Sequence, residues 1–195
     1  MTKMDKRSGR QYRYIPLEFR GETDDNKMMI KGYFSVFYSD YELFPGFTES
    51  IDPHAFDKTI TGDIRALWNH DTNIVLGRTS ATPPTLSIKI DSHGLYGEIL
   101  INPEDQDAVN AYARIKRGDV RECSFGFDII SEKITELSNG NWHSDILEVE
   151  LYEVSPCAFP AYKETSISAR SDEIKELRKR EVALWKAQAK ARLNK

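Results

Sequence analysis

Ser124, within RECSFGFDII, is the hydroxyl whose neighbours best suit chemistry. Cys123, Phe125, Phe127 and Ile129 fall on one face of a strand at period two, while Ser124, Gly126 and Asp128 fall on the other. The hydroxyl then stands away from the apolar side, and the glycine two residues on leaves room for something to approach. A serine hydroxyl is a poor nucleophile alone; it needs a base within hydrogen-bonding reach, oriented in turn by a third group. His70 in ALWNHDTN follows an apolar strand-like run and sits between Asn69 and Asp71. It can be that base only if the fold brings its strand beside the one carrying Ser124. For the third group, Leu147, Val149 and Leu151 alternate along one strand face with Glu153, which puts a carboxylate at the end of an apolar row. A buried acid needs a partner. Glu148 and Glu150 share the other face with Tyr152 and read as solvent-facing.

Residue type alone leaves plainer readings open. Ser124 can be an ordinary strand serine, His70 a loop histidine bonded to Asp71 or Asn69, and Glu153 the partner of an arginine such as Arg78. Other chemistry has less behind it. His54, His70, His93 and His143 are scattered, no pair is spaced for one helix face, and Cys123 and Cys157 lie far apart, so no metal is expected. GxxxxGK[ST] and GxGxxG are both absent, and no cofactor is expected.

The elements that must position these residues are mostly strands. The chain has 195 residues, 39% apolar and 11% aromatic, enough for one substantial core with an arm or tail. The opening residues read as a polar arm, placed at 1–22 with mobile residues 1 to about 12, and YRYIPLEFRGE as a short strand. MMIKGYFSVFYS, IRALWNH, IVLGRT, ECSFGFDIISEKI and DILEVELYEVSPCAF have strand length and composition. LSIKI and LYGEILI flank Asp91-Ser92-His93-Gly94 as a hairpin. Asp52 and Pro53 suggest the cap and first position of a short helix over 53–61. Ala108, Val109, Tyr112 and Ile115, with Pro103 before and Gly118 after, predict a helix over 104–117. Ser171 caps a last helix with Ile174, Leu177, Leu184, Trp185 and Gln188 along one side. Hairpin-linked strands without regular helix alternation favour an antiparallel sheet or barrel: an α+β, mainly antiparallel β fold.

Charge divides the chain. From Asp172 to Lys195 there are eight Lys/Arg and four Asp/Glu, a balance of +4, so with −4 overall residues 1–171 carry −8. The acidic body would repel phosphate and the tail has Trp185 as its one aromatic, which disfavours nucleic acid as a specific partner. No apolar run approaches the roughly 20 residues of a membrane helix, and MTKMDKRSGRQYR is no export signal, so a soluble intracellular protein without membrane contact is expected. The two cysteines read as buried thiols.

At these residues the chain resembles the phage prohead (procapsid maturation) serine protease family, related to the herpesvirus assemblin. The resemblance runs in order through GYFSVF (32–37), ESIDPHAF (49–56), LWNHD (67–71), LGRT (76–79), DSHGLYGEILI (91–101), IKRGDV (115–120), CSFGFDI (123–129) and LYEVSPCAFPAY (151–162) to Ser168-Ala169-Arg170. The NHD, SFGF and EVS-plus-PAY blocks in that order are specific together. Two positions depart from the pattern: Cys123 stands where methionine is common, and His54 where glycine is common.

The resemblance implies a herpesvirus-protease-like β-barrel core with two inserted helices and a C-terminal helix, the protease domain spanning 23–170 and a basic helical tail 171–195. It puts the nucleophile at Ser124, the base at His70 and the third member at Glu153, with Glu148 as fallback. The implied substrates are the scaffold protein, or the scaffolding segment of the capsid protein, inside a procapsid in the host cytoplasm, with self-cleavage as an end point. The tail would bind scaffold or shell, portal or shell contacts are conceivable, and a homodimer stays open. The rival reading is a catalytically inert virion structural or scaffold-binding protein of the same fold.

Overall fold

The computed structural model describes residues 10–15, 20–24 and 27–158. The C-terminal helix expected after Ser171, its basic tail and the PAY block lie outside the described residues. Eleven strands and one helix are described: β1 (Gln11–Ile15), β2 (Arg20–Asp24), β3 (Lys27–Val36), β4 (Tyr41–Phe44), β5 (Phe47–Ile51), β6 (Arg65–Trp68), β7 (Asp71–Arg78), β8 (Leu86–Ile90), β9 (Gly94–Leu100), α1 (Gln106–Arg117), β10 (Glu122–Glu136) and β11 (Trp142–Cys157). β1 and the first part of β2, up to Glu22, lie within the stretch placed as an arm and, Gln11 apart, on the segment YRYIPLEFRGE that reads as a short strand.

The strands form two sheets. One has seven strands in the order β1-β10-β11-β5-β4, with β6 pairing both β11 and β7; the other has four in the order β2-β3-β9-β8. A mainly β fold is therefore met, but among the described residues neither sheet closes into the expected barrel. β11 also departs from antiparallel pairing: it runs antiparallel to β10 yet parallel to β5 and, further along, to β6. Phe34, Phe56, Leu95, Ile99, Phe125, Phe127 and Ile146 are fully buried and belong to one continuous core. Sheets pack this way because alternating apolar side chains on each strand must find a second apolar layer. Phe56 and Phe125 meet edge to face at 5.7 Å, the geometry that aromatic pairs prefer.

Of the two inserted helices expected, one forms. α1 begins at Asp105, whose side chain accepts from the backbone N–H groups of Asp107 and Ala108, and ends at Gly118 with φ of 88°. Its apolar stripe of Ala108, Ala111, Tyr112 and Ile115 is buried against the sheets. Residues 53–61 form successive turns instead of the other helix. The cause is the ladder of β11, which this segment completes where β5 has ended and β6 has not begun. Val149 N–H donates to the Ala55 carbonyl at 3.0 Å and Leu151 N–H to Thr59 Oγ1 at 2.9 Å. A regular helix would spend the Ala55 carbonyl on its own i+4 partner.

Candidate active site

His70 answers to both of its sequence readings, because it sits at the tip of a turn and still points inward. β6 and β7 pair up to Trp68 opposite Asp71, leaving Asn69 and His70 as a two-residue turn. Both have positive φ, 56° and 63°, as the tight turn that matches strand twist requires, and asparagine and histidine tolerate that region better than most residues. The turn is tied to the end of β11 by three bonds. Asn69 N–H donates to the Pro156 carbonyl at 3.0 Å, Ala158 N–H to Asn69 Oδ1 at 3.2 Å, and His70 N–H to Ser155 Oγ at 3.3 Å.

This tether brings the imidazole to Glu153. His70 Nδ1 lies 2.7 Å from Glu153 Oε1, and Glu153 is 2% exposed. A carboxylate only accepts, so Nδ1 is the donor in this contact, and in the neutral imidazole that tautomer leaves the lone pair on Nε2. Ser155 Oγ donates to the other carboxylate oxygen at 2.5 Å, so both oxygens of Glu153 are engaged. Gly126 lies opposite Glu153 in the β10–β11 ladder, and a Cβ there would come within 2.5 Å of Glu153 Oε1. The room that the glycine leaves is filled by the carboxylate.

Ser124 faces Ser155 across the same ladder, one pair along from the core-facing Phe125–Val154 pair and two from Gly126–Glu153. Ser124, Gly126, Glu153 and Ser155 therefore share the face away from the core. On β1, Tyr12 lies opposite Gly126, and its ring meets the His70 ring at 4.5 Å, edge on. The imidazole is bracketed by Glu153 on β11 and Tyr12 on β1, which sets it over β10, the strand of Ser124. Ser124 Oγ and His70 Nε2 are both buried, and neither makes a hydrogen bond, to each other or to another group.

The structure thus joins His70 to Glu153, sets Ser124 on the same face, and leaves the hydroxyl and the imidazole unbonded. Glu148 is elsewhere, paired with Lys58 at 2.8 Å. Arg78, the plainer partner for Glu153, instead grips Asp63 at 2.6 and 2.7 Å, and Asp71 bonds Asn73. That guanidinium, with Ser80, holds the Asp63 carboxyl well below the usual carboxylate range. His54 is exposed beside Asp57, and His143 rests on Thr48, Ser50 and Asp145. Among the described residues no three His, Cys, Asp or Glu side chains gather as a metal site needs. The neighbouring thiols are poor rivals for the nucleophile's role. Burial, then the nearby charges of Glu122 and Glu153, pushes Cys157 up to about 12, and burial raises Cys123 well above its ordinary value.

Two residues of this site escape sequence reasoning. Ser155 had a signal, since a residue two beyond Glu153 on a strand shares its face. Tyr12 opens the segment YRYIPLEFRGE that reads as a short strand, but nothing in its spacing ties that strand to β10 or to His70.

Residues 16–180 match the family model of the caudovirus prohead serine protease. No curated protein and no solved structure matches the chain.

Proposed function

Since this chain belongs to the caudovirus prohead serine protease family and is a serine endopeptidase, we propose that Ser124 is its nucleophile, His70 the general base and Glu153 the group that orients the base. The observation that carries this reading is the 2.7 Å contact between His70 Nδ1 and a buried Glu153, with Nε2 left unpartnered over the strand of Ser124. Glu153 holds the imidazole in the tautomer that can accept a proton and stabilises the imidazolium that results. The Ser124 proton passes to Nε2 as Oγ attacks the substrate's carbonyl carbon; His70 then returns that proton to the departing amine. Water hydrolyses the acyl-enzyme by the same route in reverse. The absence of a Ser124–His70 hydrogen bond accords with a site that tightens only around substrate.

The substrates in this reading are the scaffold protein or the scaffolding segment of the capsid protein, cut within the prohead, and then the protease itself. The basic tail from Asp172 to Lys195 would hold scaffold or shell. Kinship with the herpesvirus assemblin belongs to the same proposal and rests on the sequence blocks alone. The test is co-expression with the capsid and scaffold partners, comparing the unaltered chain with Ser124→Ala, His70→Ala and Glu153→Gln. Specific cleavage products, read by mass spectrometry of the shells, are expected to vanish with Ser124→Ala while shells still assemble. Unchanged processing removes Ser124 from the mechanism.

A further inference from the structure

Ser124 is fully buried and the Nε2 atom of His70 is buried with it, although the imidazole as a whole keeps 17% exposure, so the two reacting atoms are covered as the molecule stands. What lies over them is identifiable. β10 has two edges. β11 takes one along the whole strand, and β1 takes the other from Cys123 to Phe127, with Tyr14 directly opposite Ser124. A peptide in extended form is commonly recognised by adding to an unpaired strand edge, where main-chain bonds hold it whatever its side chains. The edge beside Ser124 is the one from which such a peptide would offer a carbonyl to its hydroxyl, and that edge is filled.

Three further observations converge on β1. Tyr12 meets the His70 ring edge on at 4.5 Å, and its Cε1 atom lies 3.0 Å from where a Cβ on Gly126 would sit, so the tyrosine covers the space above that glycine. β1 ends its sheet and has one neighbour in it, whereas β10 and β11 are interior strands and the His70 turn is tied by three hydrogen bonds. β1 is therefore the covering element that is paired along one edge only. Lastly, the span matched by the family starts at residue 16, directly after Ile15, where β1 ends. The strand over the site thus lies just outside the matched span.

We infer that β1 is an autoinhibitory strand: it occupies the substrate edge of β10 and seals Ser124 and His70 until it withdraws. The inference rests on the serine-protease roles proposed above. The latch is Arg13, buried like its partner Glu49, to which it is joined by two contacts, Nε to Oε1 and Nη2 to Oε2 at 3.0 Å. Its guanidinium also lies 5.3 Å from the Phe127 ring centre. A pair so desolvated holds only while both partners are present, and loss of either leaves an uncompensated charge.

The test uses the full chain and a small fluorophosphonate, which phosphonylates an activated serine hydroxyl with loss of fluoride. Labelling rates are compared among the unaltered protein, Tyr12→Ala, the double variant Arg13→Ala/Glu49→Gln, which removes both charges together, and Ser124→Ala as the blank. Circular dichroism monitors the fold, and hydrogen exchange at 123–127 reports the β10 edge. Ser124-dependent labelling is expected to be at least tenfold faster in both β1 variants, with faster exchange at that edge. Added peptide RQYRYI should slow the variants again in proportion to its concentration. Labelling that depends on Ser124 but is as fast in the unaltered protein overturns the autoinhibitory strand and leaves the protease roles standing. No Ser124-dependent labelling in any chain removes the protease roles, and this inference with them.

Discussion

Ser155 holds the Glu153 carboxylate from the side opposite the imidazole and also accepts the His70 backbone N–H, so one hydroxyl fixes both partners of the base–acid pair. Its loss should be felt in the chemical step more than in substrate binding. Hydrogen bonds to a charged group contribute about 1.5–3 kcal/mol, so Ser155→Ala should lower kcat by roughly 10- to 100-fold with KM little changed. Ser155→Thr, which keeps the hydroxyl, should recover part of the loss; peptide hydrolysis with separate kcat and KM is the measurement. Equal losses in both variants would mean that Ser155 matters only for packing. Gly126→Ala should be more severe, because its methyl would lie 2.5 Å from Glu153 Oε1 and drive the carboxylate off His70. The same assay, with circular dichroism to show a retained fold, checks it.

At the scale of elements, α1 packs on β2, β3 and β7, and its start depends on one carboxylate. Asp105→Ala should therefore lower the urea midpoint, by about 1 kcal/mol in unfolding free energy, with the slope of the transition unchanged. Hydrolysis below the transition should be unaffected. This helix was legible from its sequence, as was the hairpin around Asp91-Ser92-His93-Gly94, because their signals are local: a cap, a period of 3.6, a turn between two alternating runs. The long strands β10 and β11 were legible too, and so was the core face of β10 with Cys123, Phe125, Phe127 and Ile129, but not the faces of β11. Regular alternation put Leu147 and Glu153 in one buried row, whereas Leu147 is 39% exposed. The ladder passes from Gly126–Glu153 to Phe127–Leu151, so Tyr152 is an extra residue, and Glu153 turns to the face opposite Leu151. The sequence argument thus reached a carboxylate that does meet His70, by a periodicity that the bulge breaks. Residues 53–61 failed as a helix for a similar reason. Their carbonyl and hydroxyl groups answer to β11, almost a hundred residues away in the chain, and no local pattern records that demand.

Taken whole, the molecule sets its two thiols on its two most central strands, where they report on the entire fold. Cys123 on β10 and Cys157 at the end of β11 are fully buried, and the Cys123 thiol donates to the Tyr33 carbonyl of the other sheet. Exposing either thiol requires β10 to part from β11 or the two sheets to separate, so both should react with a disulfide reagent only on global unfolding. The two thiols are expected to appear together along a urea titration, at the midpoint given by circular dichroism. A thiol that reacts well before that midpoint would show that one end of the central pair opens alone. The pH dependence follows from the same burial. Cys157 is held up at about 12 against an ordinary value of 9.0, so the folded state keeps a proton that the unfolded chain releases. The resulting stabilisation is complete below pH 9 and is lost as pH rises from 9 toward 12. The urea midpoint should accordingly fall across that window, and fall less steeply in Cys157→Ala. Identical slopes in the two proteins would mean that the thiol carries none of the alkaline sensitivity, and that lysine and tyrosine titration accounts for it.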